Sequence, residues 1–310
     1  MIATYPAYDS PYSITEKKHQ KWPIKFFVYQ LINKYNYLLE QVNQRDNKRL
    51  NLFDLFSLIF FKQGRKSKQV RLITFSQNGI TKVGAISDDG IVDLSELVHE
   101  QPWNLIRLIE NAESLKLAQE LLHNPKQTIK LDEVVLEAPV LRPRKFLGLG
   151  MNYKKHVEEL KDKGFQTSDY QVWFNKQVSC VNGPFSPIEI PKVSDALDYE
   201  CELAFVIGQR CRHVKAEDAS QVIAGYMIAN DVSVRDWQLH SATWTIGKSF
   251  DTHGPIGPAL VTPDEIEDPH NLDIRLYVND EIRQDSNTSD MIYSCFDMVE
   301  YLSTVFTLEP

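Results

Sequence analysis

Glu200 and Glu202 stand one residue apart in the stretch Leu197-Asp198-Tyr199-Glu200-Cys201-Glu202-Leu203-Ala204-Phe205-Val206-Ile207. Its second half is a continuous apolar run, as in a strand buried on both faces. Side chains alternate along a strand, so the two carboxylates leave one face and Cys201 leaves the other. Two like charges beside a buried run are costly unless something compensates them, and a cation does this well. A third carboxylate, Asp231, ends a second apolar run, Ala224-Gly225-Tyr226-Met227-Ile228-Ala229-Asn230. A donor set built from carboxylates alone describes a hard-cation site, Mg²⁺ or Mn²⁺ before Zn²⁺. The competing reading is a Glu-x-Glu pair on a solvated strand face.

A second group with chemical potential follows Lys145-Phe146-Leu147-Gly148-Leu149-Gly150, a strand ending in Gly. Gly148 and Gly150 do not open a phosphate loop, because Tyr153 stands where a third glycine would be needed. The spacing then predicts a short helix over Asn152 to Lys161, with His156 and Glu159 on one face. A carboxylate beside an imidazole fixes its tautomer and raises its basicity, as a general base requires. The same spacing also describes a surface pair. Lys176 ends the strand-like Trp173-Phe174-Asn175-Lys176 and reads equally as a site residue or a snorkelling structural lysine. On its own terms Arg235 is a structural ion pair with Asp236, and Trp237 belongs to the core. His253 is assigned no role.

From Val70 to Pro310 the chain resembles the fumarylacetoacetate hydrolase family. Four ordered blocks carry the resemblance. They are Leu147-Gly148-Leu149-Gly150-Met151-Asn152-Tyr153 with His156; Asp198 to Leu203; Asn230-Asp231-Val232-Ser233-Val234-Arg235-Asp236-Trp237-Gln238; and Gly247-Lys248-Ser249-Phe250-Asp251-Thr252. The resemblance implies an α+β fold, a mixed β-roll or sandwich-like catalytic domain with flanking helices and a small N-terminal α/β subdomain. It implies Mg²⁺ or Mn²⁺ held by Glu200, Glu202 and Asp231. His156 and Glu159 would form the catalytic dyad on a lid helix, and Lys248 would offset charge on an enolate or carboxylate. Arg235 and Gln238 would face the substrate, where an arginine fork suits a carboxylate. The substrates implied are small enolisable 2-oxo acids, with the metal as Lewis acid. Oxaloacetate keto–enol tautomerisation is the reaction implied most directly. Acylpyruvate C–C hydrolysis and oxaloacetate decarboxylation are the alternatives, and a homodimer is the implied assembly.

The family pattern continues with a Gly-Asp strand and a Thr-Gly-Thr-Pro-x-Gly-Val-Gly block, whereas this sequence reads Thr307-Leu308-Glu309-Pro310 at its end. Without that block, strand edges would be left unpaired. This motivates a rival reading, a non-catalytic family member.

The elements that must position these residues divide the chain into an unassigned extension over 1–69, a small subdomain over 70–140 and a catalytic domain over 141–310. The extension holds an apolar run over 50–61 too short to span a bilayer. It is neither a secretory leader nor a clear mitochondrial presequence. Asn78-Gly79 and Asp88-Asp89-Gly90 mark turns between short strands. Helices are expected over 103–109, 115–122 and 291–306, and a strand pair over 271–284. A net charge of −8 argues against a general nucleic-acid or anionic-membrane binder. The four cysteines form no C-x-x-C pair and read as reduced thiols of an intracellular protein, mitochondrial or cytoplasmic.

Overall fold

The computed structural model describes residues 2–3, 26–30, 70–98, 104–123, 125–162, 168–279 and 281–310. The apolar run over 50–61 lies outside them. In chain order the strands are β1 (Ile2–Ala3), β2 (Phe26–Gln30), β3 (Arg71–Gln77), β4 (Ile80–Ser87), β5 (Gly90–Asp93), β6 (Val135–Glu137), β7 (Phe146–Gly150) and β8 (Val172–Lys176). They continue with β9 (Val181–Asn182), β10 (Leu197–Asp198), β11 (Cys201–Ile207), β12 (Ile223–Asn230), β13 (Ser233–Val234), β14 (Gly254–Val261), β15 (Asp273–Val278) and β16 (Glu281–Asn287). The helices are α1 (Leu105–Ile109), α2 (Ala112–His123), α3 (Lys154–Asp162), α4 (Arg235–Gln238) and α5 (Cys295–Val305).

Asn78 and Gly79 both take positive φ, 52° and 77°, as a two-residue hairpin turn with the right twist requires. β3 then pairs with β14, Leu72 opposite Leu260. One mixed sheet therefore runs β5-β4-β3-β14-β12-β11-β1-β7-β8 through both halves of the chain. A common core follows: Val70, Leu72 and Leu105 cluster with Phe146, Met227 and Leu260. On the other face α5 lays Met298, Val299 and Leu302 against Leu149, Leu203 and Phe205. The fold is α+β, as the sequence implies.

Between β7 and β11 the chain places β1, parallel to one and antiparallel to the other, with Ile2 opposite Gly148 and Ala204. Beyond those two residues, Phe146, Leu147 and Phe205 to Ile207 border a cavity of about 80 Å³.

Two expected elements are revised. The stretch over 197–207 is not one strand: β10 pairs with β13, β11 pairs with β12, and Tyr199-Glu200 lie at the break. The ladder stops there because the Glu200 N–H goes to the Asn230 side chain, 3.0 Å away. The last helix begins at Cys295, not Met291. Ser294 and Asp297 form a reciprocal capping box, and the imidazole Nε2 of His270 accepts the Cys295 N–H at 3.1 Å. Residues 291–294 are instead drawn to Asn152, whose side chain binds the Tyr293 N–H and carbonyl at 2.8 and 2.9 Å.

Only neutral His270 can accept that N–H. Burial depresses its pKa below the ordinary imidazole value, against a smaller opposing effect of Asp268. Burial lowers His253 in the same way. Both histidines therefore bind fewer protons folded than unfolded, so their contribution is complete above about pH 6.5 and is lost as pH falls through the folded values. The denaturant midpoint should fall as pH drops from 7.5 to 5. His270→Gln, which keeps an acceptor but does not titrate, should flatten part of that slope. An unchanged slope in the variant would remove His270 from the account.

Candidate metal and acid–base centre

Glu200, Glu202 and Asp231 are all fully buried. β11 supplies Glu202 from within the ladder, opposite Ala229 of β12. Glu200 precedes β11 at the break, and Asp231 follows β12. The Asp231 N–H donates to the Glu200 carbonyl at 2.8 Å, which ties the two positions together. The expected juxtaposition thus holds at the backbone, with Glu200 in a loop and not on a strand face.

Three cations converge on these carboxylates. The Lys248 ammonium donates to Glu200 Oε2 and to Asp231 Oδ2, both at 2.8 Å. Lys176, whose side chain is fully buried, donates to Asp231 Oδ1 at 2.6 Å and to the Lys248 carbonyl. This overturns the snorkelling alternative, since the ammonium points inward to a carboxylate. The Arg235 guanidinium holds Asp198 Oδ2 through Nε and Nη2 at 2.9 and 2.7 Å, and Nη2 also reaches Glu200 Oε1 at 2.5 Å. Its Nη1 donates to Gln238 Oε1 at 2.9 Å. Arg235 therefore does not pair with Asp236, which accepts from Ser194 instead. The pairing changes because β10 runs beside β13 and delivers Asp198 to the start of α4.

The electrostatics follow the geometry. Burial raises the Asp231 pKa, but Lys176 and Lys248 outweigh it and hold the carboxyl at about 2. Burial disfavours the Lys248 ammonium, but Asp231 and Glu200 reverse this and raise its pKa. The Tyr153 phenol, fully buried, is pushed well up by burial and then by Glu202.

Lys248 is seated between aromatic and acidic walls. Its ammonium lies 5.0 Å from the Phe174 ring centroid, and that ring packs 5.9 Å from Trp244. Phe174 and Trp244 rest on β7, where a Cβ at Gly148 or Gly150 would stand 2.2 and 2.4 Å from their rings. The two glycines make room for these two side chains. Trp237 is half-buried, edge-on to Phe250, and is not the core residue expected.

His156 sits in the first turn of α3 and is 1 % exposed. The Asn152 clamp on 292–293 fixes the entry to this helix, after Met151 turns the chain at a φ of 56°. Glu159 belongs to α3, but its side chain lies outside the described residues. His253 is buried, with Nε2 2.8 Å from the Glu189 carbonyl, a structural contact. Asp198, Asn230 and Ser233, which bonds Glu200 Oε1 at 3.3 Å, are the site residues that sequence reasoning did not single out. All three stand inside the matched blocks, but nothing in their spacing distinguishes them.

Among the described residues no three carboxylate, imidazole or thiolate groups are gathered as a closed metal-ligand set. The donor chemistry nonetheless fits a hard divalent cation. Glu200 and Asp231 each aim an oxygen at one shared cation position, which the Lys248 ammonium takes, and Glu202 is buried on the adjoining strand.

Residues 145–310 match the family model for the fumarylacetoacetate (FAA) hydrolase C-terminal region. The chain is 38 % identical over 248 residues to the mitochondrial oxaloacetate tautomerase fahd2 of Xenopus laevis, covering 78 % of this chain and 77 % of that protein. It is 37 % identical over 224 residues to the human mitochondrial oxaloacetate tautomerase FAHD2A, covering 71 % and 70 %. Among solved structures it is similar to the maleylpyruvate hydrolase of Sphingobium sp. SYK-6 in complex with manganese(II) and pyruvate. That match has a TM-score of 0.65 and 34 % identity, over 77 % of this chain and 85 % of the other.

The pairs in this centre make a direct test. Lys176→Met leaves Asp231 buried with one counter-charge fewer, and should destabilise the protein by about 3–5 kcal/mol in chemical denaturation. Adding Asp231→Asn should restore part of that loss. A Lys176→Met protein of unchanged stability would contradict the buried pair. The chain, with its buried centre of opposed charges, belongs to the fumarylacetoacetate hydrolase family.

Proposed function

We propose that this protein is a divalent-metal-dependent oxaloacetate keto–enol tautomerase. The observation that carries the reading is the buried centre in which Lys176, Lys248 and Arg235 pair with Asp198, Glu200 and Asp231, with Glu202 buried on β11. Counted as ionised, these seven groups leave one negative charge. A divalent cation makes the balance positive, which suits a dianionic oxo acid. Family membership and the names of the Xenopus and human relatives support the same substrate.

Mg²⁺ or Mn²⁺ held by Glu200, Glu202 and Asp231 would supply Lewis acidity toward the oxo acid, and the manganese in the maleylpyruvate hydrolase supports this choice. The chain's own groups do the rest. Arg235 and Gln238 present donors to a substrate carboxylate. Lys248 places a positive charge against the developing enolate. His156, oriented by Glu159, takes the proton of the enol hydroxyl, and a proton is delivered to the neighbouring carbon. No carbon–carbon bond breaks. In the hydrolytic alternative, supported by the likeness to a maleylpyruvate hydrolase, the same His156 would activate water. Both named relatives are mitochondrial proteins, which favours that compartment of the two expected.

A homodimer is part of this reading. Segments 177–194 and 236–252 are joined by hydrogen bonds from Gln177 to Ser249 and from Ser194 to Asp236. Together they expose Phe185, Ile190, Val193, Leu239 and Ile246. Apolar surface of this kind marks an interaction site. Leu239→Asp should shift a dimeric protein toward monomer in sedimentation equilibrium. A wild-type monomer would end this part of the reading.

The activity test follows enol absorbance of oxaloacetate with Mg²⁺, with pyruvate measured in parallel. Enol loss without pyruvate, abolished by EDTA, is the expected result. Pyruvate formation would point to decarboxylation, and turnover of acetylpyruvate alone would point to hydrolysis. No turnover of either by folded protein would leave the non-catalytic reading. Glu200→Ala with Glu202→Ala should abolish activity. His156→Ala should lower kcat about 10²- to 10⁴-fold while Mn²⁺ affinity holds.

A further inference from the structure

The carboxylate centre is also held from its reverse face. Among the seven residues of β16, Gln284 is the buried one, 4 % exposed, on a strand whose other positions are half-buried or exposed. A polar amide at the core-facing position of such a strand is costly unless it is hydrogen-bonded. Its Oε1 accepts the Cys201 N–H at 2.7 Å. Cys201 is the residue between Glu200 and Glu202.

The sheet explains why that N–H needs a side chain. Cys201 faces Asn230 across the β11–β12 ladder, and the Asp231 N–H donates to the Glu200 carbonyl. Cys201 and Asn230 are therefore a non-hydrogen-bonded pair, and the Cys201 N–H points away from β12. On that edge β1 reaches Leu203 and Ala204 but not Cys201. Gln284 thus stands where a strand carbonyl would be. The preceding N–H, that of Glu200, is taken by Asn230 Oδ1. The Cys201 Sγ lies 3.7 Å from the Arg275 carbonyl on β15, and Ile274 and Leu276 pack against Cys201 and Ile228.

We infer that Gln284 is a positioning residue for the metal carboxylates. The β15–β16 hairpin, whose described residues contribute no group to the site itself, uses this amide to set the backbone between Glu200 and Glu202. Through it the hairpin sets the angle at which both carboxylates meet a divalent cation. The inference rests on the metal reading above.

Gln284→Met keeps the length of the side chain and removes the acceptor. Two measurements test it: amide hydrogen exchange at Cys201 in protein without added metal, and Mn²⁺ affinity by calorimetry. Exchange at Cys201 should rise about tenfold. The Mn²⁺ dissociation constant should rise about 10- to 100-fold, the usual penalty for losing an outer partner of a metal ligand. Gln284→Glu, which retains an acceptor, should recover the exchange protection. Ile86→Ala, a core change in the β3–β4–β5 region, should lower the melting temperature and move neither readout. Wild-type exchange and affinity in Gln284→Met would overturn the inference, as would equal changes in Ile86→Ala. A wild-type protein that binds no Mn²⁺ defeats the metal reading and the positioning role with it. Intact protection at Cys201 would distinguish that failure from failure of the hydrogen bond.

Discussion

Charge buried out of reach of water must be neutralised where it stands, and much of this structure serves that requirement. Glu200, Glu202 and Asp231 are wholly buried, and each cation near them is delivered by its own element. Lys176 arrives from the end of β8, Lys248 from the turns before β14, and Arg235 from the start of α4. These segments come from distant parts of the chain and meet because opposite charges in a low-dielectric interior are worth far more together than apart. The same need makes the centre fragile: removing one member strands another.

The requirement reaches into the backbone. The strand is interrupted between β10 and β11 at Tyr199-Glu200, and the Glu200 and Cys201 amides go to Asn230 and Gln284. A continuous strand would keep Glu200 in register with the sheet. The break lets it turn toward Lys248 and Arg235 while its N–H stays satisfied. Gly148 and Gly150 serve the same end, because a side chain at either would push Phe174 or Trp244 out of the wall beside Lys248.

The proposed chemistry combines a fixed charge array with a histidine on a separate element. His156 is presented by α3, whose entry is clamped by Asn152 to the residues before α5. α5 is itself started by the Ser294–Asp297 box and by His270. His156 and the charge array are thus held by different contacts. Shared elements with separately adjustable parts suit a family whose members include tautomerases, isomerases and hydrolases of related acids.

The amino-acid order alone carried the carboxylate pair and the third carboxylate as a candidate cation site, because buried carboxylates beside apolar runs are chemically unusual; His156 could be read as a base or a surface residue, and Lys248, Arg235 and Gln238 entered only through the family resemblance. It also carried the Asn78-Gly79 hairpin, since the turn demands residues that tolerate positive φ. Partnership was another matter. That Arg235 takes Asp198 and not its neighbour Asp236 depends on β10 lying beside β13, a pairing of segments 36 residues apart. Lys176 could be read either way until β8 was seen to end against Asp231. Nothing marked Gln284 or Asn152 as a backbone clamp, although Asn152 stands in a matched block, because a hydrogen bond from a side chain to a distant backbone amide leaves no periodicity to read. Local sequence decides which groups are present and how each segment folds. Which charge neutralises which, and which amide holds which strand, is decided by burial of the whole sheet.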